Sequence, residues 1–372
     1  MRGVLINTLL VLVSIIVTLI AADALLRQFS SIAPRSGQFT PEPGSFQRLN
    51  ARTVTLSPNY RGMLDSRDFS RIPIQINALG FRDDEYDFDV LARSNPILFL
   101  GDSYVFGWGV RREKRLSELF SREPGPRAIG APVLNMAIPG TGTYQALDLL
   151  KEFGLPLKPR LVVLGFFVGN DFLDNQAAAI IAPGEPAHGS DAIPGLKLID
   201  AAEHSRAFSL RELIRSSPVV NLVKYGLWES RVFRRLFNRL EIQNDRIALY
   251  ADQADDEYNR LYGPTLKALT EIAELTREAK IPLLILIIPD HLQLLEPQLF
   301  TDYDSQKPQR ILAQHLSALG IPFVDLLPAF ANASDPQQLF FREDKHWSVD
   351  GHVLVSRELL DPAMRMLAGD ID

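Results

Sequence analysis

The chain contains no cysteine. This absence excludes disulfides, zinc sites built from thiolates and a cysteine nucleophile. Positive charge is not in excess either, because the chain has 39 Lys and Arg but 45 Asp and Glu, which gives a net charge of −6. A globally basic face of the kind that binds nucleic acid is therefore not expected. His, Asp and Glu are nowhere spaced like a metal site, so neither a metal nor another cofactor is predicted.

Charge is also missing from residues 3–22, which are mostly Leu, Ile and Val. A helix of about twenty residues rises about 30 Å, enough to cross the hydrocarbon core of a bilayer. With Arg2 in front, residues 1–24 are predicted as a membrane anchor. A signal peptide cleaved near Ala22-Asp23-Ala24 and a buried helix of a soluble protein are the alternatives. An anchor or a signal peptide would place the rest of the chain outside the cytoplasm, on the periplasmic side.

The remaining chain is predicted to consist of a linker, residues 25–60, and one domain, residues 61–372. The linker is rich in Ser, Pro, Thr and Gln and has no clear hydrophobic period. Residues 71–77 alternate apolar and polar side chains, as an edge strand does.

Five short apolar runs in the domain lack this alternation, which is typical of strands buried on both faces. They are residues 96–100, 132–136, 161–168, 283–288 and 321–324. Helical patterns separate them, at residues 111–122, 143–153, 264–280 and 308–319, and a last helix follows Ser348. Strands that alternate with helices predict an α/β fold, with a parallel sheet covered by helices on both faces.

One insertion, about residues 172–256, separates the third and fourth predicted strands. It is predicted to be helical at about residues 209–240, and seven Arg and one Lys lie between positions 206 and 239. The insertion is interpreted as a packed helical cap with solvated Arg residues, or alternatively as a lid or a face that rests on anionic lipid.

Small and polar residues follow the predicted strands, where parallel sheets bind their ligands. Ser103 comes after the first strand, Gly140 after the second, Asn170 after the third, and Asp344 and His346 after the fifth. A Ser at the start of a helix is exposed beside unpaired backbone N–H groups, which can bind an oxyanion. A neutral imidazole can take the proton of that Ser, and a carboxylate can hold the imidazole. The set predicts acyl transfer through a serine nucleophile, with an oxyanion hole of Ser103, Gly140 and Asn170.

Each of these motifs alone has a plain structural explanation, as a helix cap, a glycine turn or a chance surface pair. Their occurrence after four separate strands favours a catalytic site. Asp290 and His291 follow the fourth strand and are predicted at the rim of the site, as substrate contacts or as solvated loop residues.

The order of these motifs resembles the four blocks of the SGNH (GDSL-type) hydrolase superfamily. The motifs are Gly101-Asp102-Ser103, Gly140, Gly169-Asn170-Asp171 and Asp344-Lys345-His346, and the resemblance covers about residues 77–366 without most of the insertion. It implies a flavodoxin-like sheet, Ser103 as nucleophile, His346 as base, Asp344 as its partner, and Gly140 and Asn170 in the oxyanion hole.

The position of the acid leaves two alternatives open. Many members of the superfamily place it three residues before the His, where this chain has Glu343. Asp344, two residues before His346, resembles the arrangement in the bacterial polysaccharide O-acetyltransferase branch, although there the Asp-x-His block precedes the Ser.

The function expected from motifs, location and resemblance is hydrolysis or transfer of an O-acyl ester, such as acetyl, on an envelope or secreted glycan. Transfer outside the membrane would need a multi-pass membrane protein as acyl donor. The alternatives are a non-catalytic glycan-binding or scaffold protein on the same fold, and a lipid esterase or lysophospholipase.

Overall fold

The computed structural model describes Ser14, Thr18, Ala21, Ala22, residues 46–181 and residues 245–369. No helix among these residues is long and apolar enough to cross a membrane. The predicted anchor, residues 1–24, lies almost entirely outside the described residues, and so does the predicted basic helical part of the insertion, about residues 209–240. The elements below belong to one compact unit, residues 39–200 and 243–372.

Nine strands in the described part of the chain form three sheets. They are β1 (Phe46–Arg48), β2 (Val54–Leu56), β3 (Arg61–Leu64), β4 (Ile72–Gln75), β5 (Ile97–Leu100), β6 (Val133–Asn135), β7 (Leu161–Phe167), β8 (Leu283–Ile288) and β9 (Phe323–Asp325). The last five strands are parallel and lie in the order β6-β5-β7-β8-β9. Counted from β5, this is the 2-1-3-4-5 order of flavodoxin-like sheets. The predicted α/β fold class is confirmed.

Each of the five predicted apolar runs overlaps one strand of this sheet. Every residue of β5, β7 and β8 is buried, because helices cover both faces of the sheet. A strand without a solvent face has no polar positions to alternate with its apolar ones, which explains the uninterrupted runs in the sequence.

Helices precede, connect and follow the strands of the sheet. They are α1 (Phe88–Ser94), α2 (Ser103–Phe106), α3 (Leu116–Arg122), α4 (Pro124–Ile129), α5 (Thr143–Leu149), α6 (Asp171–Ala179), α7 (Asp245–Ala248), α8 (Asp255–Glu278), α9 (His291–Leu295), α10 (Lys307–Leu319), α11 (Leu327–Ala331) and α12 (Val349–Ala368). The predicted starts of α5 and α10 are within one residue of the observed ones. α8 instead begins well before Pro264, because its first turn holds Asp255, Asp256 and Glu257, which complement the positive end of the helix dipole.

The predicted insertion includes one helix that belongs to the core of the domain. All of α6 except its first residue lies inside residues 172–256. Phe172 nevertheless contacts Phe166 of β7 and Tyr262 of α8, with ring centroids 4.9 Å apart in both pairs. Asn175 of α6 also donates to Thr143 and Thr265. The interruption of the alternating pattern therefore begins after α6 and not at residue 172.

The predicted linker, residues 25–60, is also corrected in its second half, where β1 and β2 form a hairpin. Asp148 of α5 accepts hydrogen bonds from Asn50, Arg52 and Thr53 of this hairpin. These contacts fasten the hairpin to the domain despite its polar sequence. The edge strand predicted within residues 71–77 exists as β4 and pairs with β3 in a two-stranded hairpin outside the central sheet.

Candidate active site

Ser103 is the first residue of α2, directly after the turn that ends β5. Asp102 caps this helix, and its Oδ1 accepts the N–H of Tyr104 at 2.9 Å. Gly101 has φ +148, and a Cβ there would lie 2.7 Å from Val105 Cγ2 and 3.1 Å from the carbonyl oxygen of Gly165. Only glycine fits this turn, which brings Ser103 to the carboxyl end of the sheet. The N–H groups of a first helical turn have no partners inside the helix, so they can face a ligand.

The structure brings together the three residues predicted to be catalytic. Nε2 of His346 lies 2.7 Å from Oγ of Ser103, and Nδ1 of His346 lies 2.5 Å from Oδ1 of Asp344. The carboxylate stabilises a proton on Nδ1 and leaves Nε2 free to accept the proton of Ser103. Glu343 is exposed and lies 3.7 Å from the guanidinium of Arg342. Asp344, and not Glu343, is thus placed against the imidazole.

The loop that carries Asp344 and His346 is held by contacts to both of its sides. Lys345 between them has φ 72, the left-handed conformation, and on either side of this turn the Asp344 side chain meets that of His346. Tyr104 donates its hydroxyl to the Lys345 carbonyl at 3.1 Å. Oδ2 of Asp68, from the β3–β4 connection, accepts the backbone N–H groups of Glu343 at 2.8 Å and Asp344 at 2.7 Å. These bonds fix a backbone geometry that is unfavourable for a lysine.

Aromatic side chains surround the imidazole of His346. The ring of Tyr104 lies 4.9 Å from it and that of Trp108 5.9 Å from it, measured between centroids. Tyr104 in turn packs on Phe167 of β7 at 4.4 Å. The imidazole therefore packs against aromatic rings, which leave it few alternative orientations.

Gly140, the second predicted block, lies in the loop after β6. This loop adjoins the turn that carries Ser103, because the N–H of Ile138 donates to the carbonyl of Gly101 at 3.1 Å. Gly140 is exposed and has φ +74, a conformation that glycine adopts without strain. Its predicted contribution of a backbone N–H to the oxyanion hole stays a prediction.

Asn170, the third block, caps the start of α6 at the end of β7. Its Nδ2 donates to Oδ2 of Asp174 at 2.9 Å. Its Oδ1 is buried and has no hydrogen-bond partner among the described residues. The loop lies at the same end of the sheet as Ser103, and the role of Asn170 in the oxyanion hole stays a prediction.

Three carboxyl groups near Ser103 have raised pKa values. Burial raises the pKa of Asp102 to about 6. Burial, reinforced by the charge of Asp102, raises the pKa of Asp174 to about 7 and lifts the pKa of Asp171 well above its ordinary value. The mutual repulsion disfavours ionisation of all three at once. In the described part of the chain, no group of His, Asp and Glu side chains could hold a metal ion.

Asp290 and His291, the predicted rim residues, are both largely buried. Asp290 caps α9 and accepts Nε of Arg246 at 2.8 Å and Nη2 at 2.5 Å. Burial opposes ionisation of Asp290, but the charge of Arg246 outweighs it and holds the pKa of Asp290 below its usual range. Asp290 has no exposed surface with which to meet a substrate, whereas the His291 side chain keeps 14% of its surface exposed. Burial lowers the pKa of His291 to about 4, so its imidazole is neutral at physiological pH.

Sequence reasoning missed the residues that support this site. Asp68 and Trp108 contact Asp344, although both are more than two hundred positions away in the sequence. No local pattern marks such contacts, since only the tertiary fold brings the segments together. Asp174 carried a weak signal, because a residue four positions after Asn170 shares its face of a helix.

Comparison with known proteins gives one family match. Residues 99–354 match the model of the GDSL-like lipase/acylhydrolase family. No curated protein matches the chain significantly.

Several solved structures resemble the chain at low sequence identity. A crystal structure of TesA is 13% identical over 73% of this chain and 99% of that chain, with a TM-score of 0.42. A lipase/acylhydrolase from Enterococcus faecalis is 16% identical over 74% of this chain and 97% of that chain, with a TM-score of 0.38. A variant of Axe2, an acetyl-xylooligosaccharide esterase from Geobacillus, is 13% identical over 72% and 92%, with a TM-score of 0.38. The TM-scores are low, so these likenesses say nothing about the substrate of this chain.

Proposed function

Because the chain belongs to the GDSL-like lipase/acylhydrolase family, we propose that it cleaves acyl esters with Ser103 as the nucleophile. The observation that carries this proposal is the unbroken contact from Ser103 Oγ through both nitrogens of His346 to Asp344. Each of these three residues has its own role in the reaction. Asp344 fixes the tautomer of His346, His346 accepts a proton, and Ser103 then has a nucleophilic oxygen.

The reaction proceeds in two halves. Oγ of Ser103 attacks the ester carbonyl while Nε2 of His346 takes the hydroxyl proton, and a tetrahedral oxyanion forms. The C–O bond to the alcohol breaks, and His346 returns the proton to the departing oxygen, leaving an acyl-serine. A water or a second alcohol then attacks the acyl-serine and gives its proton to His346. The bond between the acyl carbon and Ser103 Oγ breaks, which releases the acid or the new ester, and His346 returns the proton to Oγ. Water as acceptor makes the protein an esterase, and an alcohol makes it a transferase.

The tetrahedral oxyanion is proposed to bind the backbone N–H groups of Ser103 and Gly140 and the side-chain amide of Asn170. What supports this assignment is the position of all three at the carboxyl end of neighbouring strands, together with the free N–H groups of a helix start. Donors that are fixed before the reaction stabilise the charge as it develops, without reorganisation.

For the substrate we propose an O-acetyl ester of an envelope or secreted glycan, acted on outside the cytoplasm. The uncharged apolar segment at residues 3–22, which suits an anchor or a signal, supports the location. The substrate class rests on the resemblance of the site motifs to the SGNH superfamily together with this location. If the protein transfers acetyl groups, a multi-pass membrane protein is the proposed donor. A purely scaffolding role is disfavoured, because binding alone does not need the contact between Ser103, His346 and Asp344.

The test is a chromogenic acetyl-ester assay on the purified protein, with and without a glycan acceptor. Acetate release alone indicates an esterase, and acetyl groups that appear on the glycan indicate a transferase. A long-chain ester run in parallel covers the lipid-esterase alternative. Ser103→Ala should lower kcat by several orders of magnitude. Ser121→Ala is the matched control, since Ser121 Oγ only donates to a carbonyl within α3, and turnover that survives Ser103→Ala would refute the proposal.

A further inference from the structure

The side chain of Asn170 has one hydrogen-bond partner in the described part of the chain, the carboxyl group of Asp174. The two residues lie four positions apart, at the cap and in the first turn of α6. Nδ2 of Asn170 is 2.9 Å from Oδ2 of Asp174, whereas Oδ1 of Asn170 is buried without a partner. The orientation of the amide therefore depends on a single contact.

That contact also determines which group of the Asn170 amide, the NH₂ or the carbonyl oxygen, faces Asp174. A carboxyl oxygen that carries no proton accepts a hydrogen bond from the NH₂ group but repels the carbonyl oxygen, so the rotated amide is unfavourable as long as this oxygen of Asp174 faces Asn170. The NH₂ group has two hydrogens. When one is bound to Asp174, the second stays available to a ligand in the site.

We propose that Asp174 is a positioning residue, whose carboxyl group holds the Asn170 amide so that its second N–H faces the oxyanion formed at Ser103. The inference rests on the proposed function, since it concerns the oxyanion of that reaction. Asp174 does not touch the substrate and acts through Asn170.

The protonation of Asp174 suits this role. A full negative charge close to the oxyanion would oppose its formation, but burial and the charge of Asp102 raise the pKa of Asp174 to about 7. A protonated carboxyl group still accepts a hydrogen bond through its carbonyl oxygen. The acceptor oxygen, and not the charge, is what the site requires of position 174.

This distinction defines the test. Asp174→Asn keeps an acceptor oxygen, and its kcat should stay within about threefold of the wild type. Asp174→Ala removes the acceptor and should lower kcat about tenfold with little change in KM, since the oxyanion exists only beyond the ground state. Asn170→Ala alone should lower kcat by about 10²–10³. In the Asn170→Ala background, Asp174→Ala should cost less than about twofold more, because the amide that it positions is gone.

Asp171→Asn is the matched control. Asp171 is a buried neighbour in the same turn, but its Oδ2 accepts the backbone N–H of Phe167 and does not contact Asn170. Its substitution should change the melting temperature, and its effect on kcat should be the same with and without Asn170. Asp174→Ala that behaves in this additive way, or Asp174→Asn that is as damaging as Asp174→Ala, would overturn the inference.

A second readout separates this inference from the proposed function. In ¹⁵N NMR spectra, the side-chain amide of Asn170 should show one strongly shifted, hydrogen-bonded proton that disappears in Asp174→Ala. If the wild type turns over no ester faster than Ser103→Ala, the proposed function fails, and these spectra still decide whether Asp174 positions the amide. An Asn170 amide resonance that is identical in the wild type and in Asp174→Ala overturns the inference.

Discussion

The indole Nε1 of Trp108 donates a hydrogen bond to Oδ2 of Asp344 at 3.2 Å, while His346 contacts Oδ1 of the same carboxylate. Trp108 lies in the loop after α2, between Gly107 and Gly109, which both have φ +79. The loop that follows the nucleophile thus reaches the acid directly. Both oxygens of the carboxylate are engaged, so Asp344 has little freedom to rotate away from the imidazole.

We predict that Trp108→Phe lowers kcat about tenfold and leaves KM nearly unchanged. Phenylalanine keeps an aromatic ring beside His346 but has no N–H for Asp344. A hydrogen bond to a charged group contributes about 1.5–3 kcal/mol, and part of this is lost when the carboxylate rotates and the imidazole is held less firmly. Steady-state kinetics with a chromogenic acetyl ester measure the effect.

Trp347→Phe is the control for this substitution. Trp347 is fully buried, and its Nε1 has no hydrogen-bond partner among the described residues. The smaller ring in Trp347→Phe should lower the melting temperature, while kcat should stay within about threefold of the wild type. If both Trp variants lose kcat equally, the packing of the rings and not the bond to Asp344 is responsible.

A second prediction concerns the choice of acid. Asp344→Asn should lower kcat by about 10⁴, because an amide stabilises the wrong tautomer of His346. Glu343→Gln should leave kcat within about twofold, since the Glu343 carboxylate is exposed and faces Arg342. Measuring both variants side by side decides the matter, and the reverse ranking would assign the role to Glu343.

The sequence predicts the central sheet because strands that are buried on both faces appear in the sequence as uninterrupted apolar runs. The run at residues 283–288 coincides with β8, and the run at 161–168 exceeds β7 by one residue. The ends of these strands then indicate where to look for the site, since parallel strands share one carboxyl edge. Ser103 could be found in this way. Asp344 and His346 lie 19 and 21 residues beyond the end of β9, after α11, so it is their Asp-x-His spacing, and not a strand end, that identifies them.

The long-range contacts that support the site and the β1–β2 hairpin produce no such pattern in the sequence. Arg52 and Thr53 are polar residues in a polar segment, and they are buried only because Asp148, far along the chain, accepts their hydrogen bonds. Asp68 and Trp108 likewise contact Asp344 across the fold. Periodicity describes the environment of one element, and these contacts join elements that are distant in sequence.

The third prediction concerns the close approach of α2 to the sheet. A Cβ at Gly165 of β7 would lie 2.4 Å from Val105 Cγ2 and 3.2 Å from Ile288 Cδ1. Gly165→Ala should therefore displace α2, which carries Ser103, and lower both kcat and the melting temperature. A second change, Val105→Ala, removes the clashing methyl group and should restore much of the lost kcat.

Gly263→Ala provides the matched control, because a Cβ at this position in α8 meets nothing within 4 Å. Gly263 precedes Pro264, whose ring crowds the Cβ of a preceding helical residue and offsets the usual advantage of alanine over glycine, so this variant should be no more stable than the wild type but fully active. Failure of Val105→Ala to improve Gly165→Ala would show that the clash with the helix is not the cause of the loss.

The last prediction uses pH to test what fastens the β1–β2 hairpin. The carboxylate of Asp148 accepts hydrogen bonds from Asn50, Arg52 and Thr53. Burial opposes its ionisation, but these bonds outweigh burial and hold the pKa of Asp148 below its ordinary value. A lowered pKa stabilises the folded state at every pH above the unfolded pKa of about 3.9, and this stabilisation is lost as the pH falls through the folded value.

Asp148→Asn should accordingly lower the free energy of unfolding by about 3 kcal/mol at pH 7, because the buried Arg52 loses its counter-charge. The difference between variant and wild type should shrink as the pH falls from about 4 through the lowered pKa of the folded state, below which the folded wild-type carboxylate is also neutral. Urea unfolding at several pH values measures both quantities. Glu257→Gln is the control, since its pair with Arg260 is about half exposed and should contribute less than about 1 kcal/mol at any pH. A loss in Asp148→Asn that is the same at pH 7 and at pH 3 would mean that shape, and not charge, fastens the hairpin.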